Sequence, residues 1–154
     1  MSLKSFCSGS VVTIERHASV EDAARLMRSR HVGDVVVVDL ENTRKPVGIF
    51  TDRDLAVEVV ALGMAPPTTP VGLVMSSPLL VLREEDSLTA ALDRMSAHGV
   101  RRAPVVDAEG RLKGLVSVDD LVPLLARELA RIGALMRRGQ GEEIVRIDSP
   151  EENE

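Results

Sequence analysis

The strongest constraint on this chain is that it contains one stretch twice. Gly48-Ile49-Phe50-Thr51-Asp52-Arg53-Asp54-Leu55 returns as Gly114-Leu115-Val116-Ser117-Val118-Asp119-Asp120-Leu121: a glycine, two apolar residues, a hydroxyl, two variable positions, an aspartate and a leucine. The correspondence extends upstream. Ser19, Ala23, Met27, Val32 and Asp39 match Ser87, Ala91, Met95, Val100 and Asp107 at a constant offset of 68. The offset falls to 66 from Gly48 and Gly114 onward, because the intervening loop is two residues longer in the first half. A repeat of this size is one supersecondary unit that buries its apolar face poorly alone. The two copies are therefore expected to pack face to face.

Each copy reads as strand, helix, strand, strand, helix. In the first, the β-branched run Val11–Ile14 predicts a strand. Ser19 caps a helix whose apolar face is Val20, Ala23, Ala24 and Met27, ending near His31. Val35–Val38, apolar at consecutive positions, predicts a strand buried on both faces. Residues 39–46 form a loop, Val47–Phe50 a strand, and Thr51 caps a helix that stops at Gly63. Adjacent Pro66 and Pro67 mark a linker, closed by one helical turn from Pro70 to Met75. The second copy then runs through a strand at Leu79–Leu82, a helix capped by Ser87, and strands at Val105–Val106 and Leu115–Val116. Its last helix runs from Ser117 to about Met136, with a kink or irregular turn expected at Pro123. The first ten residues show little pattern.

Composition narrows the function. Hydrophobic content of 44% supports a core of Val, Leu, Ile, Ala and Met, while Phe6 and Phe50 are the only aromatics. That argues against base stacking on single-stranded nucleic acid. The net charge of −5 is concentrated in residues 142–154, where six acids face Arg146 alone, so the body is near neutral and lacks a basic stripe. The acidic end reads as a solvated tail. A lone Cys7 allows no internal disulfide, and neither a spanning apolar run nor a basic-then-apolar leader is present, so a cytoplasmic protein is expected.

The repeated strand-to-helix turn carries the chemistry. A helix start at Thr51 offers backbone N–H groups and the positive end of a dipole, both suited to phosphate. Ionised Asp54 or Asp120 only accepts hydrogen bonds, which suits paired ribose hydroxyls better than phosphate. Gly48 and Gly114 would let a backbone approach closely, and adenine could lie against Ile49 or Leu115. The bland alternative is an ordinary capped helix start, worth about 1 kcal/mol.

Taken together, these features resemble the tandem cystathionine-β-synthase (CBS) domain pair, or Bateman module. The resemblance rests on Ser19-Val20-x-x-Ala23 and Ser87-Leu88-x-x-Ala91, on Val100-Arg101-Arg102-Ala103-Pro104-Val105-Val106-Asp107 leading to Gly114–Asp120, and on Val35–Asp39 leading to Gly48–Asp54. It covers roughly residues 8–130. It implies an α+β fold of two tandem β-α-β-β-α CBS repeats packed sheet to sheet with pseudo-two-fold symmetry. The boundaries expected are 8–63 for the first repeat, 64–76 for the linker, 77–136 for the second repeat and 137–154 for a flexible acidic tail.

The resemblance further implies a stand-alone bacterial regulatory module that binds an adenosyl ligand (AMP, ADP, ATP, NAD or S-adenosylmethionine) between the repeats and associates as a homodimer with an unknown regulated partner. Each pocket would take its hydroxyl–Asp pair from one repeat and strand-edge residues from the other. The first site then combines Ile49, Thr51 and Asp54 with Leu80, Val100 and Arg101, and the second combines Leu115, Ser117 and Asp120 with Val12, Val32 and Gly33. Arg101 and Arg102 are the natural phosphate partners, with a surface salt bridge as their alternative role. Gly33 and Asp34 replace them in the first repeat, so the Asp54 site is expected to bind phosphate better than the Asp120 site.

Catalysis is not expected. His17, His31 and His98 show no metal spacing, and no phosphate loop, dinucleotide turn or nucleophile elbow is present. The remaining competitor is a ligand-free scaffold dimerising through the helix faces after Thr51 and Ser117, where Leu121, Leu124, Leu125, Leu129, Ile132 and Met136 give more apolar surface than one helix needs.

Overall fold

Each half of the duplication contains one three-stranded sheet. In the computed structural model of this chain, residues 2–7, 10–39, 44–77 and 79–147 are described. The first sheet holds β1 (Thr13–Glu15), β2 (Asp34–Asp39) and β3 (Lys45–Thr51), in that order. The second holds β4 (Leu82–Arg83), β5 (Arg102–Val106) and β6 (Leu112–Ser117). In both, the outer pair β1–β2 or β4–β5 is parallel and the following hairpin is antiparallel. The register shifts between Val37 and Val38 in one sheet and between Val105 and Val106 in the other, so even the bulge is duplicated.

The crossover helices follow their caps. α1 (Val20–Arg30) starts at Ser19, whose hydroxyl accepts from the Asp22 N–H, and α4 (Leu88–Ala97) starts at Ser87, which accepts from the Ala90 N–H. α1 ends at His31 in the left-handed region (φ 54°), while the matching position in the second repeat is Gly99 (φ 63°). Val20, Ala23 and Met27 meet Val35, Val37 and Phe50 in the first repeat's core. Side chains alternate along a strand, so Asp34, Val36, Ile49 and Thr51 share the opposite face. Val36 and Ile49 are nevertheless buried, which fits a strand covered on both sides.

Three expectations change. The helix after Thr51 has one α-turn, α2 (Asp52–Asp54), and continues as a π-helix over Leu55–Val60. The cause is packing. Leu55, Val59 and Met64 contact the core at spacings of four and five, and the Met64 N–H donates to the Val59 carbonyl five residues back. An α-helix would instead turn Leu62 inward, and Leu62 is exposed. After the linker turn α3 (Val71–Val74) and the second sheet, α5 (Val118–Ile147) passes unbroken through Pro123, where a proline forgoes one i→i−4 bond and the remaining turns hold. α5 also continues well beyond Met136, into the segment read as tail; residues 148–154 lie outside the described residues.

The third change is at the N-terminus. Leu3–Ser5 forms a 3-10 turn that belongs with the second repeat: the Leu3 N–H donates to the Asp86 carbonyl, the Lys4 N–H to the Glu84 carbonyl, and Ser2 bridges Ser87. Leu3 is completely buried. The chain divides into two compact units, Met1–Ser117 with both sheets and Val118–Glu154 with α5.

Candidate functional site

The first strand-to-helix turn is built as a full capping box. Thr51 Oγ1 accepts from the Asp54 N–H at 3.1 Å, and Asp54 Oδ2 accepts from the Thr51 N–H at 2.9 Å. The other N–H groups of the first turn are also engaged. The Asp52 N–H donates to the Gly33 carbonyl at 3.0 Å, and the Arg53 N–H donates to Asp52 Oδ1 at 2.8 Å. The free donors expected for a phosphate are thus consumed by the protein. What remains for a ligand is the Thr51 O–H and Asp54 Oδ1, a donor and an acceptor side by side.

Asp54 lines an open cavity of about 500 Å³ together with Glu58, Met75, Ser76 and Ser77. Ser76 is held there because its N–H donates to the Ile49 carbonyl at 2.8 Å. Met75 lies directly on Gly48, where an added Cβ would collide with its Sδ, so that glycine admits a side chain of this chain rather than a foreign backbone. Ser76 and Ser77 were not expected at a site; their only sequence signal is position, at the linker's end just before the second repeat.

The sheet register sets the rest. Thr51 lies opposite Asp34 on β2, and Ser117 lies opposite Arg102 on β5. Partners in register point to the same face with Cβ atoms roughly 5 Å apart. Arg102 reaches across the repeats to Asp34, Nη1 to Oδ2 at 2.9 Å. Positions 34 and 102 are equivalent in the duplication, so a residue of one copy meets its own counterpart with the charge reversed. Arg102 is about one-third exposed and Asp34 less. The salt-bridge role considered for this arginine is realised.

The other expected residues are spread more widely. Gly33 contacts the Asp52 carboxylate, which a Cβ would approach to 3.3 Å. Leu80, nearly buried, lines a separate depression of about 380 Å³ with Arg94 and His98. Val100 donates its N–H to Met95, and Val32 donates to Met27, each closing the end of a helix. The Val12 carbonyl accepts from the Val36 N–H, and Val12 packs on the first core with Val32. Leu115 lies opposite Pro104, Ser117 is buried, Arg101 is exposed, and Asp120 is exposed in the first turn of α5, within the second unit. Among the described residues, no group of acids, histidines or cysteines could hold a metal, and no helix is long and apolar enough to cross a membrane.

The family model for the CBS domain matches twice, over residues 3–61 and 71–127. The chain belongs to the CBS domain family. The two matches are the two halves of the duplication, and the first begins at the buried Leu3. The CBS domain-containing protein YhcV of Bacillus subtilis is 36% identical over 78% of this chain and 82% of its own length. An uncharacterised protein of Methanopyrus kandleri is 32% identical over 86% of this chain, which spans 66% of that relative. A CBS domain protein from Pyrobaculum aerophilum, solved in complex with AMP, superposes with a TM-score of 0.72 over 85% of this chain and 99% of its own, at 24% identity.

Proposed function

We propose that this CBS pair is a non-catalytic sensor that binds an adenosyl ligand between its repeats and passes occupancy to a partner. One observation carries the reading: Asp54, boxed with Thr51, lines a cavity of about 500 Å³, while the cationic Arg102 is tied to Asp34, the cross-strand partner of Thr51. Paired acceptor and donor suit ribose hydroxyls, and a guanidinium suits phosphate. The Pyrobaculum protein with AMP supports the same reading at the level of the fold.

The site at Asp54 takes the charged nucleotide, with Ile49 and Leu80 as apolar walls and Val100 and Arg101 at its edge. The second, built from Leu115, Ser117 and Asp120 with Val12, Val32 and Gly33, takes a less charged adenosyl ligand. The repeats span 8–63 and 77–136, the protein is cytoplasmic, and it works as a homodimer. AMP, ADP and ATP are the first ligands to examine, then S-adenosylmethionine and NAD.

A thermal-shift panel of these compounds tests the reading. A ligand binding only the folded state at about 100 times its Kd raises Tm by about 5–10 °C. Asp54→Ala should abolish the AMP-induced shift. The shift is the readout, not baseline Tm, because the substitution also removes half of the capping box. If no adenosyl compound moves Tm, the ligand-free scaffold is the correct reading.

A further inference from the structure

The duplication places Asp34 and Arg102 on the pseudo-two-fold relation between the repeats, where each residue meets its own equivalent. Had both copies kept arginine, two cations would face each other there. Had both kept aspartate, two anions would. The copies have instead taken opposite charges, and the pair closes at 2.9 Å. Each partner is in register with one of the repeated hydroxyls: Asp34 with Thr51, Arg102 with Ser117. The ion pair therefore links the position beside Thr51 to the position beside Ser117. The backbone donors of the first turn are already satisfied by Gly33, Asp52 and Thr51. An anionic group arriving beside Thr51 meets Asp34 first, and the Arg102 guanidinium behind it already holds that carboxylate.

We infer that Asp34 is an internal competitor for the anionic group of the ligand: its carboxylate occupies Arg102 in the empty protein, and phosphate binding is an exchange of one anion for another. This rests on the proposed adenosyl site and adds to it how the site is regulated. Asp34 lowers the affinity for charged ligands without touching the adenosine moiety, so it sets the preference between a nucleotide and an uncharged nucleoside. The exchange also breaks an ion pair between β2 and β5, which gives ligand binding a mechanical consequence for the way the repeats are joined.

Isothermal titration with AMP and with adenosine on four proteins tests this: wild type, Asp34→Asn, Arg102→Gln and the double variant. Asp34→Asn should tighten AMP by about two- to fivefold, the range open to a partly exposed pair, and leave adenosine unchanged. In the Arg102→Gln background the same substitution should give no gain. If Asp34→Asn fails to tighten AMP in a protein that binds it, the competitor is wrong and the nucleotide site stands. An equal gain without Arg102 would mean simple repulsion by Asp34, which also overturns the exchange. If wild type binds neither AMP nor adenosine, the adenosyl reading itself has failed. A wild-type measurement guards against misfolded variants: the guanidinium ¹⁵N resonances of Arg102 must shift on saturation with AMP, and an unmoved signal overturns the proposal.

Discussion

Asp107 shows how one side chain fixes a turn. Its Oδ1 accepts from the Glu109 and Arg111 N–H groups at 3.1 and 2.8 Å, and its Oδ2 accepts from Arg111 Nε at 2.9 Å. Burial alone would raise its pKa, but the Arg111 N–H and guanidinium, with Lys113 behind them, outweigh it and hold the carboxyl below its usual range. A depressed folded pKa contributes stability that is present above the unfolded value, near 3.9, and lost as pH falls through the folded one. Wild type should therefore lose stability below about pH 4, and Asp107→Asn should be less stable at pH 7 yet show a flatter acid limb, the gap between the two curves narrowing as pH falls. Urea titrations at several pH values measure this. An equal gap at pH 3 and pH 7 would show that the ionised form is not what the turn uses. The Asp39/Asp107 match was visible in the sequence, but the Arg111 partnership was not, because it depends on the turn that Gly110 (φ 79°) closes.

Among the elements, the helix caps were legible and the irregular pieces were not. Ser19, Thr51 and Ser87 each sit where a local rule puts them, and cap bonds involve residues three apart. The π-turn over Leu55–Val60 turns on whether Leu62 or Met64 reaches the core, a choice made by the sheet beneath and not by propensity. The N-terminal turn is a stronger case. Ser2-Leu3-Lys4 has no period to read, and its partners are eighty or more residues away. Leu3 is fully enclosed, so Leu3→Ala should destabilise the protein by about 2–5 kcal/mol. Removing residues 1–5 should do at least as much. Urea unfolding of both variants checks this. A loss below about 0.5 kcal/mol, the range of ordinary surface substitutions, would mean that the segment does not seal the second repeat.

For the whole molecule, the duplicated frame was readable because it is repeated, whereas contacts across the repeats became visible only once equivalent positions faced each other, as Asp34 and Arg102 do. Assembly follows from what the fold leaves exposed. In unit 1, Val60, Leu62 and Leu73 are all about two-thirds exposed. On α5, Val122, Leu125, Leu129, Ile132 and Met136 are exposed at alternating spacings of three and four. That spacing is the a/d seam of a helix made to pack on another helix, and small Ala126 and Gly133 flank it. A second copy of α5 offers the same period, so the homodimer proposed above is expected to form through this helix. Leu129→Asp with Ile132→Asp places two charges in the seam and should convert a dimer to a monomer, read by light scattering as a halving of mass. The sheets lie in the other unit, so circular dichroism of the variant should keep its strand signal. A variant that stays dimeric would move the interface to the patch of Val60, Leu62 and Leu73, and the same pair of measurements on Val60→Asp with Leu62→Asp would then decide it.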